Sequence, residues 1–198
     1  AMATRVRRSL GGRLIDLIPS YASLLIIYDP LQAGHSEIFE MLEDCLKQPS
    51  TKTEDAAGRQ VMLPVFYSPE VGPDLLSLAK AKDLSPEDVI RLHHEREYRV
   101  YAIGFAPGFA YLGQVNERLA TSRLATPRAK VPRGAVGIAD QQTAVYPHES
   151  PGGWNLIGRC PVRMFDPNVM DASKVNVGDR VRFEPIDRET FLELGGEL

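Results

Sequence analysis

The spacing of apolar and polar residues predicts a chain of two parts. In the first part it predicts a short helix over residues 4–12, strands at Leu14–Ile18 and Ser23–Tyr28, and a serine-capped helix over residues 36–47. The apolar positions of the second helix lie at helical spacing, at Ile38, Phe39, Leu42 and Leu46. Residues 48–60 are polar and lack periodicity, so they are the best candidate for a linker.

The second part begins with α- and β-type patterns and then becomes rich in short strands. A strand is predicted at residues 61–67, a helix from Gly72-Pro73-Asp74 through Lys80, a helix over residues 85–94 and a strand at residues 98–103. Ser85 and Pro86 supply the cap and the first position of the second of these helices. Further short β-rich segments follow, at Ala135–Ala139, Thr143–Tyr146, Trp154–Ile157, Val162–Phe165 and Arg180–Pro185.

This order of elements predicts an α+β fold. A small N-terminal α+β domain with its linker would occupy residues 1–58, and a larger domain would occupy residues 59–198. Many short strands separated by turn residues are typical of a closed or nearly closed β-barrel, which we expect for the second domain.

Composition and charge exclude several classes of protein. The chain has 198 residues, 43% of them hydrophobic, and a net charge of −3, so no basic excess points to nucleic acid or to a membrane surface. No apolar run is long enough to span a bilayer, and no signal peptide is apparent. Cys45 and Cys160 are the only cysteines and show no metal-ligand spacing. We therefore expect a cytoplasmic protein with no metal site, in which both cysteines serve packing; a nucleophilic Cys160 is the alternative.

One glycine- and proline-rich stretch, residues 104–158, has a composition that simple hairpin loops do not need. It contains GFAPGFAYLG at 104–113, PRAKVPRGAVGIADQQTAVYP at 127–147 and SPGGWNLIG at 150–158. Glycine permits close approach to the backbone and proline fixes it, so this stretch predicts a shaped surface lined with aromatic rings. The surface would bind either a substrate or a partner protein.

These strings resemble the signature of the family that contains the B subunit of 5-oxoprolinase (PxpB), the KipI kinase inhibitors and allophanate hydrolase subunit 1. The resemblance extends over nearly the whole chain, including PSYASLLIIYDP at 19–30, SPEDVIRLH at 85–93 and GDRVRF at 178–183. Members usually begin with a longer N-terminal segment, so we expect the N-terminal domain to be truncated here. Positions that depart from the family pattern are Ser122, Arg133, Asp140, Ala144 and Cys160.

The resemblance implies a cyclophilin-like barrel in the second domain. It also implies an obligate, homologous second subunit, similar to the C subunit of 5-oxoprolinase or to allophanate hydrolase subunit 2. ATP is implied as cofactor, bound by the complex if not by this chain, since the sequence has neither a GxxxxGK[ST] nor a GxGxxG motif. Members similar to PxpB take part in ATP-dependent opening of 5-oxoproline to glutamate. KipI-like members inhibit a sensor histidine kinase.

Three arginines match arginines of the family, Arg123, Arg128 and Arg159. Guanidinium groups suit a carboxylate, a phosphate or carboxylated biotin, so the three are candidates for holding an anionic substrate. The alternative is that they form ion pairs with the partner or with acidic residues of the barrel.

The other candidates for chemistry are uncharged or titrate near neutrality. His93 matches a family histidine at a helix end, where the charged imidazole is favoured and protons can be moved; alternatively it caps the helix or anchors it to the barrel. Gln142, Thr143 and Tyr146 offer hydrogen bonds to an amide or lactam, or else they satisfy buried loop backbone. Gly152 and Gly153 would let a ligand or partner backbone come close.

Aromatic residues of the stretch are predicted to form a partner interface rather than a pocket: Phe105, Phe109, Tyr111 and Trp154. No serine or cysteine triad is apparent. The first hypothesis is therefore the first subunit of a two-subunit hydrolase that acts on a small amide or lactam, with His93, Arg128 and Gln142 as catalytic residues. Its substrate-binding residues would be Arg123, Arg159, Thr143, Tyr146, Gly152 and Gly153. The alternative is a KipI-like inhibitor that binds a sensor histidine kinase.

Overall fold

A computed structural model of the chain describes residues 2–47, 58–170 and 172–198. The chain divides into two compact units, residues 1–57 and 58–198. Most of the linker predicted at residues 48–60 lies outside the described residues. Each unit has its own buried core.

The first unit places two helices beside a β-hairpin. Its elements are α1 (Met2–Leu10), a 3-10 turn (Gly11–Arg13), β1 (Leu14–Ser20), β2 (Ser23–Tyr28) and α2 (His35–Lys47). The strands β1 and β2 pair antiparallel, and α1 packs against α2 and β1. The buried core of the unit is formed by Val6, Leu10, Leu17, Ala33, Ile38 and Cys45.

Two details of this unit differ from the sequence-based expectation. Ser36, expected as a cap, lies inside α2, because the helix begins one residue earlier and Gly34 accepts a backbone hydrogen bond from Ile38. Phe39 and Leu46 were expected on the apolar face but are 55% and 70% exposed, whereas Ile38 and Cys45 are buried.

The second unit is built around a closed barrel of seven strands. Its helices and long strands are β3 (Gln60–Phe66), α3 (Leu75–Ala81), α4 (Pro86–His94), β4 (Glu97–Ile103), β11 (Arg180–Ile186) and α5 (Arg188–Glu193). Its short elements are β5 (Ala110–Gly113), a 3-10 turn (Glu117–Leu119), β6 (Arg128–Val131), β7 (Ala135–Ala139), β8 (Gln142–Val145), β9 (Ser150–Gly152) and β10 (Asn155–Arg159). Around the barrel the strand order is β10-β3-β11-β4-β5-β8-β7.

Strand pairing in the barrel is antiparallel except between β3 and β11, which run parallel from Arg180 opposite Gln60 to Ile186 opposite Phe66. The strands β6 and β9 form a separate two-stranded ribbon. The α+β fold with a closed barrel, expected from the sequence, is confirmed. The segment 162–165, expected as a strand, instead makes only an isolated bridge from Phe165 to Ser173.

Side-chain alternation along the strands creates two separate apolar clusters. The lumen core combines inward-facing residues of all seven barrel strands with the buried faces of α3 and α4. The outer cluster covers the opposite face of the wall formed by β5, β8, β7 and β10, and contains Phe109, Tyr146, Trp154 and Leu156. Because successive side chains of a strand point to opposite faces, neighbouring residues of one strand belong to different clusters.

The helix start predicted at Ser85 is confirmed. The Ser85 side chain accepts a hydrogen bond from the backbone N–H of Asp88 at 3.0 Å, and Pro86 occupies the first helical position. This cap fixes the start of α4, whose last turn carries His93 into the lumen core.

The turn between β6 and β7 depends on a single glycine. Gly134 has φ of +82°, its N–H donates to the carbonyl of Tyr146 at 2.7 Å, and its carbonyl accepts from Cys160 at 2.8 Å. A Cβ at this position would overlap the carbonyl oxygen of Cys160. No other residue type fits both the backbone conformation and the space.

We expect Gly134→Ala to lower the free energy of unfolding by about 1–3 kcal/mol through backbone strain alone, with the steric overlap adding to that loss. Gly104→Ala is the matched control, since Gly104 has an ordinary φ and open space around its Cα. Denaturant unfolding of both variants measures the effect, and equal stability of the two would contradict the assignment.

Candidate functional site

A small pocket opens beside the outer cluster of the barrel and gathers most of the residues proposed from the sequence. Its volume is about 100 Å³. Its lining residues are Phe105, Phe109, Tyr111, Arg123, Tyr146, Pro151, Gly152, Gly153 and Trp154. We call this the aromatic pocket; it combines four predicted interface aromatics with four of the predicted substrate-binding residues.

Phe109 organises the rings of the aromatic pocket. Four rings meet it edge to face, with centroid distances from 4.9 to 5.6 Å, and they belong to Phe105, Tyr111, Tyr146 and Trp154. Edge-to-face pairs are favourable beyond their buried area, so this arrangement holds the pocket wall in one geometry. Phe109, Tyr146 and Trp154 are buried, whereas Phe105 is 65% exposed.

Phe105 lies in the loop between β4 and β5 and has an unusual backbone. Its φ is +69°, in the left-handed region that side chains other than glycine rarely adopt. Strained conformations of this kind concentrate at functional sites, where the surrounding structure enforces them. The ring stands at the pocket with most of its surface exposed to solvent.

Arg123 brings a guanidinium group into the lining of the aromatic pocket. Two backbone contacts fix its segment: the Ser122 carbonyl accepts from the Asn155 side-chain amide at 2.9 Å, and the Leu124 N–H donates to the Gly153 carbonyl at 2.7 Å. Its guanidinium carbon lies 6.0 Å from the centre of the Trp154 ring, within cation–π range.

The two glycines of the pocket, Gly152 and Gly153, differ in the space available for a side chain. A Cβ at Gly152 would overlap the Tyr146 hydroxyl, so it is this side chain that comes close to the Gly152 backbone. A Cβ at Gly153 would meet nothing nearer than 3.6 Å. The close approach that the sequence predicted for a ligand or partner is made at Gly152 by Tyr146. Burial raises the pKa of Tyr146 above its usual value, so its hydroxyl remains protonated at neutral pH.

Arg128 lies next to the aromatic pocket but is engaged by an acid. Its guanidinium contacts the Asp74 carboxylate at 2.6 Å and the Trp154 carbonyl at 3.5 Å. The second carboxylate oxygen of Asp74 accepts the Leu156 N–H at 2.7 Å, and the Asp74 N–H donates to the Leu156 carbonyl at 3.0 Å. Of the two roles open from the sequence, these contacts match ion pairing with an acid of the barrel.

Asp74 is a residue of the site that sequence reasoning recognised only as part of a helix start. It is 7% exposed, and its side chain makes no cap hydrogen bond to α3. Nothing in its local sequence pattern distinguishes a carboxylate that caps a helix from one that bonds across to a strand.

Arg159 does not line the aromatic pocket. It is 8% exposed, its Nε donates to the Arg133 carbonyl at 2.8 Å, and its terminal nitrogen lies 3.7 Å from the Glu197 carboxylate. Burial lowers the pKa of Arg159 from its usual value. Of the three arginines, the structure places Arg123 in the lining of the aromatic pocket, Arg128 beside that lining and Arg159 apart from it. Anion binding by these arginines stays a prediction.

Thr143 and His93 lie inside the barrel rather than on its outer face. The Thr143 side chain shares the lumen side of β8 with Val145 and donates to the Gly137 carbonyl at 3.0 Å. His93 is fully buried; its Nε2 lies 2.9 Å from the Thr143 hydroxyl and its Nδ1 lies 2.7 Å from the Tyr67 hydroxyl. Since the Thr143 proton is used by Gly137, the imidazole donates from Nε2 and accepts at Nδ1.

This network favours an uncharged His93. Burial lowers its pKa to about 3, with a smaller contribution from neighbouring His94. The Phe183 ring stacks on the imidazole at 4.6 Å, and the Tyr98 hydroxyl donates to the His93 carbonyl at 2.7 Å. The expectation of a charged, proton-moving imidazole at a helix end is not met, because the desolvation of the ring outweighs the helix-terminus effect.

Gln142, the other residue proposed for catalysis, begins β8 and pairs with Gly113 and Ala139 in the barrel wall. It is half-buried and does not line the aromatic pocket. The two cysteines are buried, and burial raises the pKa of Cys160 to about 12, so its thiol is protonated at neutral pH.

Among residues 2–47, 58–170 and 172–198, no group of three or more acidic, histidine or cysteine side chains is arranged to hold a metal ion. In that same part of the chain, no helix has the length and apolar character needed to cross a bilayer.

Comparison with known proteins places the chain in a family. A family model described as carboxyltransferase domain, subdomain C and D, matches residues 1–174. The chain is 41% identical over 186 residues to the 5-oxoprolinase B subunit of Bacillus subtilis, covering 89% of this chain and 78% of that protein. The corresponding B subunit from Haemophilus influenzae is 47% identical over 132 residues, covering 67% of this chain and 62% of that protein. The chain therefore belongs to the carboxyltransferase-domain family that includes the B subunit of 5-oxoprolinase.

Solved structures share the fold. TTHA0988 matches with a TM-score of 0.81 and 37% identity. The match covers 94% of this chain and 36% of TTHA0988. PH0987 from Pyrococcus horikoshii matches with a TM-score of 0.66 and 44% identity, covering 96% of this chain and 87% of that one. Urea amidolyase of Kluyveromyces lactis, at 17% identity and a TM-score of 0.71, shares the fold over 97% of this chain and 13% of its own length.

We expect Asp74→Ala to lower the free energy of unfolding by about 1.5–3 kcal/mol, because it removes a hydrogen-bonded charge and leaves the Leu156 N–H without its side-chain partner. Arg128 is 28% exposed, so water compensates part of its loss. Glu149→Ala, which breaks an exposed pair with Lys130, is the control and is expected to change stability little. Urea unfolding distinguishes the two, and equal losses would argue against a structural role of Asp74.

We expect stability to fall as the pH drops from about 6.5 toward 3, because the unfolded histidine takes up a proton in that interval and buried His93 does not. The slope from this one group is at most about 1.4 kcal/mol per pH unit. His93→Gln should reduce this slope, and His148→Gln, at an exposed position, should leave it unchanged.

A direct measurement on the unmodified chain accompanies these variants. Nitrogen chemical shifts of the His93 ring should report a neutral imidazole, protonated at Nε2, down to about pH 5. An imidazolium signal at about pH 6 would show that the ring is not desolvated.

Proposed function

We propose that this chain is part of an enzyme complex that opens a small lactam, 5-oxoproline, and that the aromatic pocket holds the lactam ring and its carboxylate. The observation that carries the proposal is the meeting of one guanidinium group with aromatic walls in one small pocket, on a chain whose curated relatives are named as B subunits of 5-oxoprolinase. Arg123 would bind the carboxylate, and the rings of Tyr111 and Trp154 would contact the apolar part of the lactam.

Size supports a small substrate. Pockets for drug-sized ligands measure roughly 300–1,000 Å³, whereas the aromatic pocket measures about 100 Å³. A five-membered ring with one carboxylate is compatible with such a volume, and a whole nucleotide is not. If the reaction of the complex is ATP-dependent, as the resemblance implies, the nucleotide base and sugar must bind elsewhere in the complex.

The chemistry of the described side chains supports a binding role for this chain more than a nucleophilic one. Cys160 is protonated and buried, and His93 is neutral and enclosed in the barrel. We therefore propose that the reactive centre is completed by a homologous second subunit. The exposed ring of Phe105, held at the pocket in a strained conformation, is the best candidate for contact with that partner.

Trp154 is the only tryptophan of the chain and lines the aromatic pocket, so its fluorescence reports on ligand binding. We expect titration with 5-oxoproline to change the emission of Trp154, with the full chain alone and with its second subunit. Arg123→Gln should weaken the affinity about 10- to 100-fold, because it removes a charged hydrogen bond to the carboxylate. The matched control is Arg163→Gln, an exposed arginine outside the pocket.

Three outcomes would count against the proposal. Equal weakening of 5-oxoproline binding in Arg123→Gln and Arg163→Gln would show that Arg123 has no specific role. A complex with the second subunit that binds 5-oxoproline but turns over no ATP in its presence would contradict the enzyme function. Binding and inhibition of a sensor histidine kinase by the chain, with no response to 5-oxoproline, would favour the KipI-like function.

A further inference from the structure

A second pocket of the barrel unit is larger and almost entirely polar. Its volume is about 260 Å³, and it lies where the segment after β5 and the β7–β8 turn meet the residue that precedes β4. Its polar lining residues are Arg96, Gln114, Asn116, Glu117, Arg118 and Gln141. We call this the polar pocket; it shares no lining residue with the aromatic pocket.

The polar pocket is electropositive in an acidic protein. The lining contains the guanidinium groups of Arg96 and Arg118 and the carboxylate of Glu117. Its net charge is therefore +1, whereas the net charge of the whole chain is −3. Among the described residues, no carboxylate lies within 4.0 Å of either guanidinium. Of the other eleven arginines in the described part of the barrel unit, Arg99, Arg123 and Arg163 also have no carboxylate within 4.0 Å, and eight do: Arg59, Arg91, Arg128, Arg133, Arg159, Arg180, Arg182 and Arg188.

Three side-chain amides add neutral hydrogen-bond donors to the two cations, those of Gln114, Asn116 and Gln141. The Asn116 side-chain oxygen accepts the backbone N–H of Arg118 at 3.0 Å. The side-chain nitrogen of Asn116 therefore remains available as a donor. The Val115 N–H donates to the Gln141 carbonyl at 2.9 Å. That backbone bond joins the two loops that form the pocket.

We propose that the polar pocket binds a phosphoanion, the phosphate group or short phosphate chain of a phosphorylated ligand. Two forked guanidinium groups and three amides offer more donors than the two oxygens of a carboxylate can use, whereas a phosphate chain presents many acceptor oxygens and more than one negative charge. The volume suits a phosphate chain and is below that of sites for drug-sized ligands, so a nucleoside part would extend outside the pocket.

This inference goes beyond the proposed function, since binding of a phosphoanion here requires neither a lactam nor the aromatic pocket. It gives this chain a contact with the phosphate chain of a nucleotide even where the base and sugar are held elsewhere in the complex.

Isothermal titration of the full chain with diphosphate, ATP, inorganic phosphate and succinate tests the proposal. We expect diphosphate and ATP to bind at least about tenfold more tightly than succinate, and to bind more weakly as salt rises, because the charges are exposed. Equal affinity for ATP and diphosphate would show that the phosphate chain alone is recognised. Tighter binding of ATP would show that the nucleoside also contributes, and both results support the site.

Removing a positive charge and removing a negative charge from the polar pocket should have opposite effects on its affinity for diphosphate. Arg96→Gln and Arg118→Gln should each weaken diphosphate binding about tenfold or more, and Glu117→Gln should strengthen it. Arg163→Gln is the matched control for the loss of one positive charge outside the pocket. Arg123→Gln should leave diphosphate binding unchanged, so that failure of the lactam site and failure of this site are distinguishable.

The proposal is overturned by any of three results. Diphosphate and ATP show no binding at millimolar concentration; succinate binds as tightly as diphosphate; or Arg163→Gln weakens binding as much as Arg96→Gln and Arg118→Gln.

Discussion

The buried carboxylate of Asp74 links three parts of the barrel unit. Asp74 binds the Arg128 guanidinium with one oxygen and the Leu156 N–H with the other, while its own N–H reaches the Leu156 carbonyl. It thus joins the start of α3, the start of β10 and the β6–β9 ribbon. Several contacts hold Trp154 and the adjoining residues in place: the Trp154 carbonyl meets Arg128, the Gly153 carbonyl accepts from the Leu124 N–H, and the Trp154 ring packs edge to face on Phe109.

The alternation of side chains along the barrel strands separates two kinds of chemistry that the sequence places side by side. Thr143 and Tyr146 are close in sequence, yet one closes a hydrogen-bond network in the lumen and the other contributes to the pocket outside. The network from Tyr67 through His93 and Thr143 to the Gly137 carbonyl spans the barrel interior with neutral groups. Its members satisfy one another, which makes the burial of His93 and Thr143 tolerable.

The parts of the fold that follow from local rules could be predicted from the sequence. Ser85 and Pro86 mark the start of α4, and the apolar run at residues 135–139 marks a buried strand, because caps and continuous burial leave direct signals. The strands β5, β6 and β9 were not predicted, since they are only four, four and three residues long and each includes glycine, proline or charged residues. The helix α5 was missed although Asp187 caps it through the Thr190 N–H.

Long-range pairing limited the prediction of the site. The aromatic and glycine-rich segments of residues 104–158 come together at one pocket. The aromatic residues were predicted as a partner interface, but in the structure they form the wall of this pocket as well as its exposed edge. Arg159 is paired with Glu197 instead of lining the pocket, and this pairing could not be predicted because the two residues are distant in sequence. Asp140, where the family usually has glycine, has φ of +52° at the β7–β8 turn; the left-handed backbone explains the family preference.

The parallel pairing of β3 with β11 has a consequence for how the protein is made. Because β11 comes last among the barrel strands and lies between β3 and β4, a chain emerging from the ribosome cannot close the barrel until its final strand is available. Until then, the apolar lumen and two strand edges remain open to water and to other chains. Contacts of such high sequence separation slow folding and expose intermediates to aggregation. The barrel is therefore expected to close only after β11 has left the ribosome.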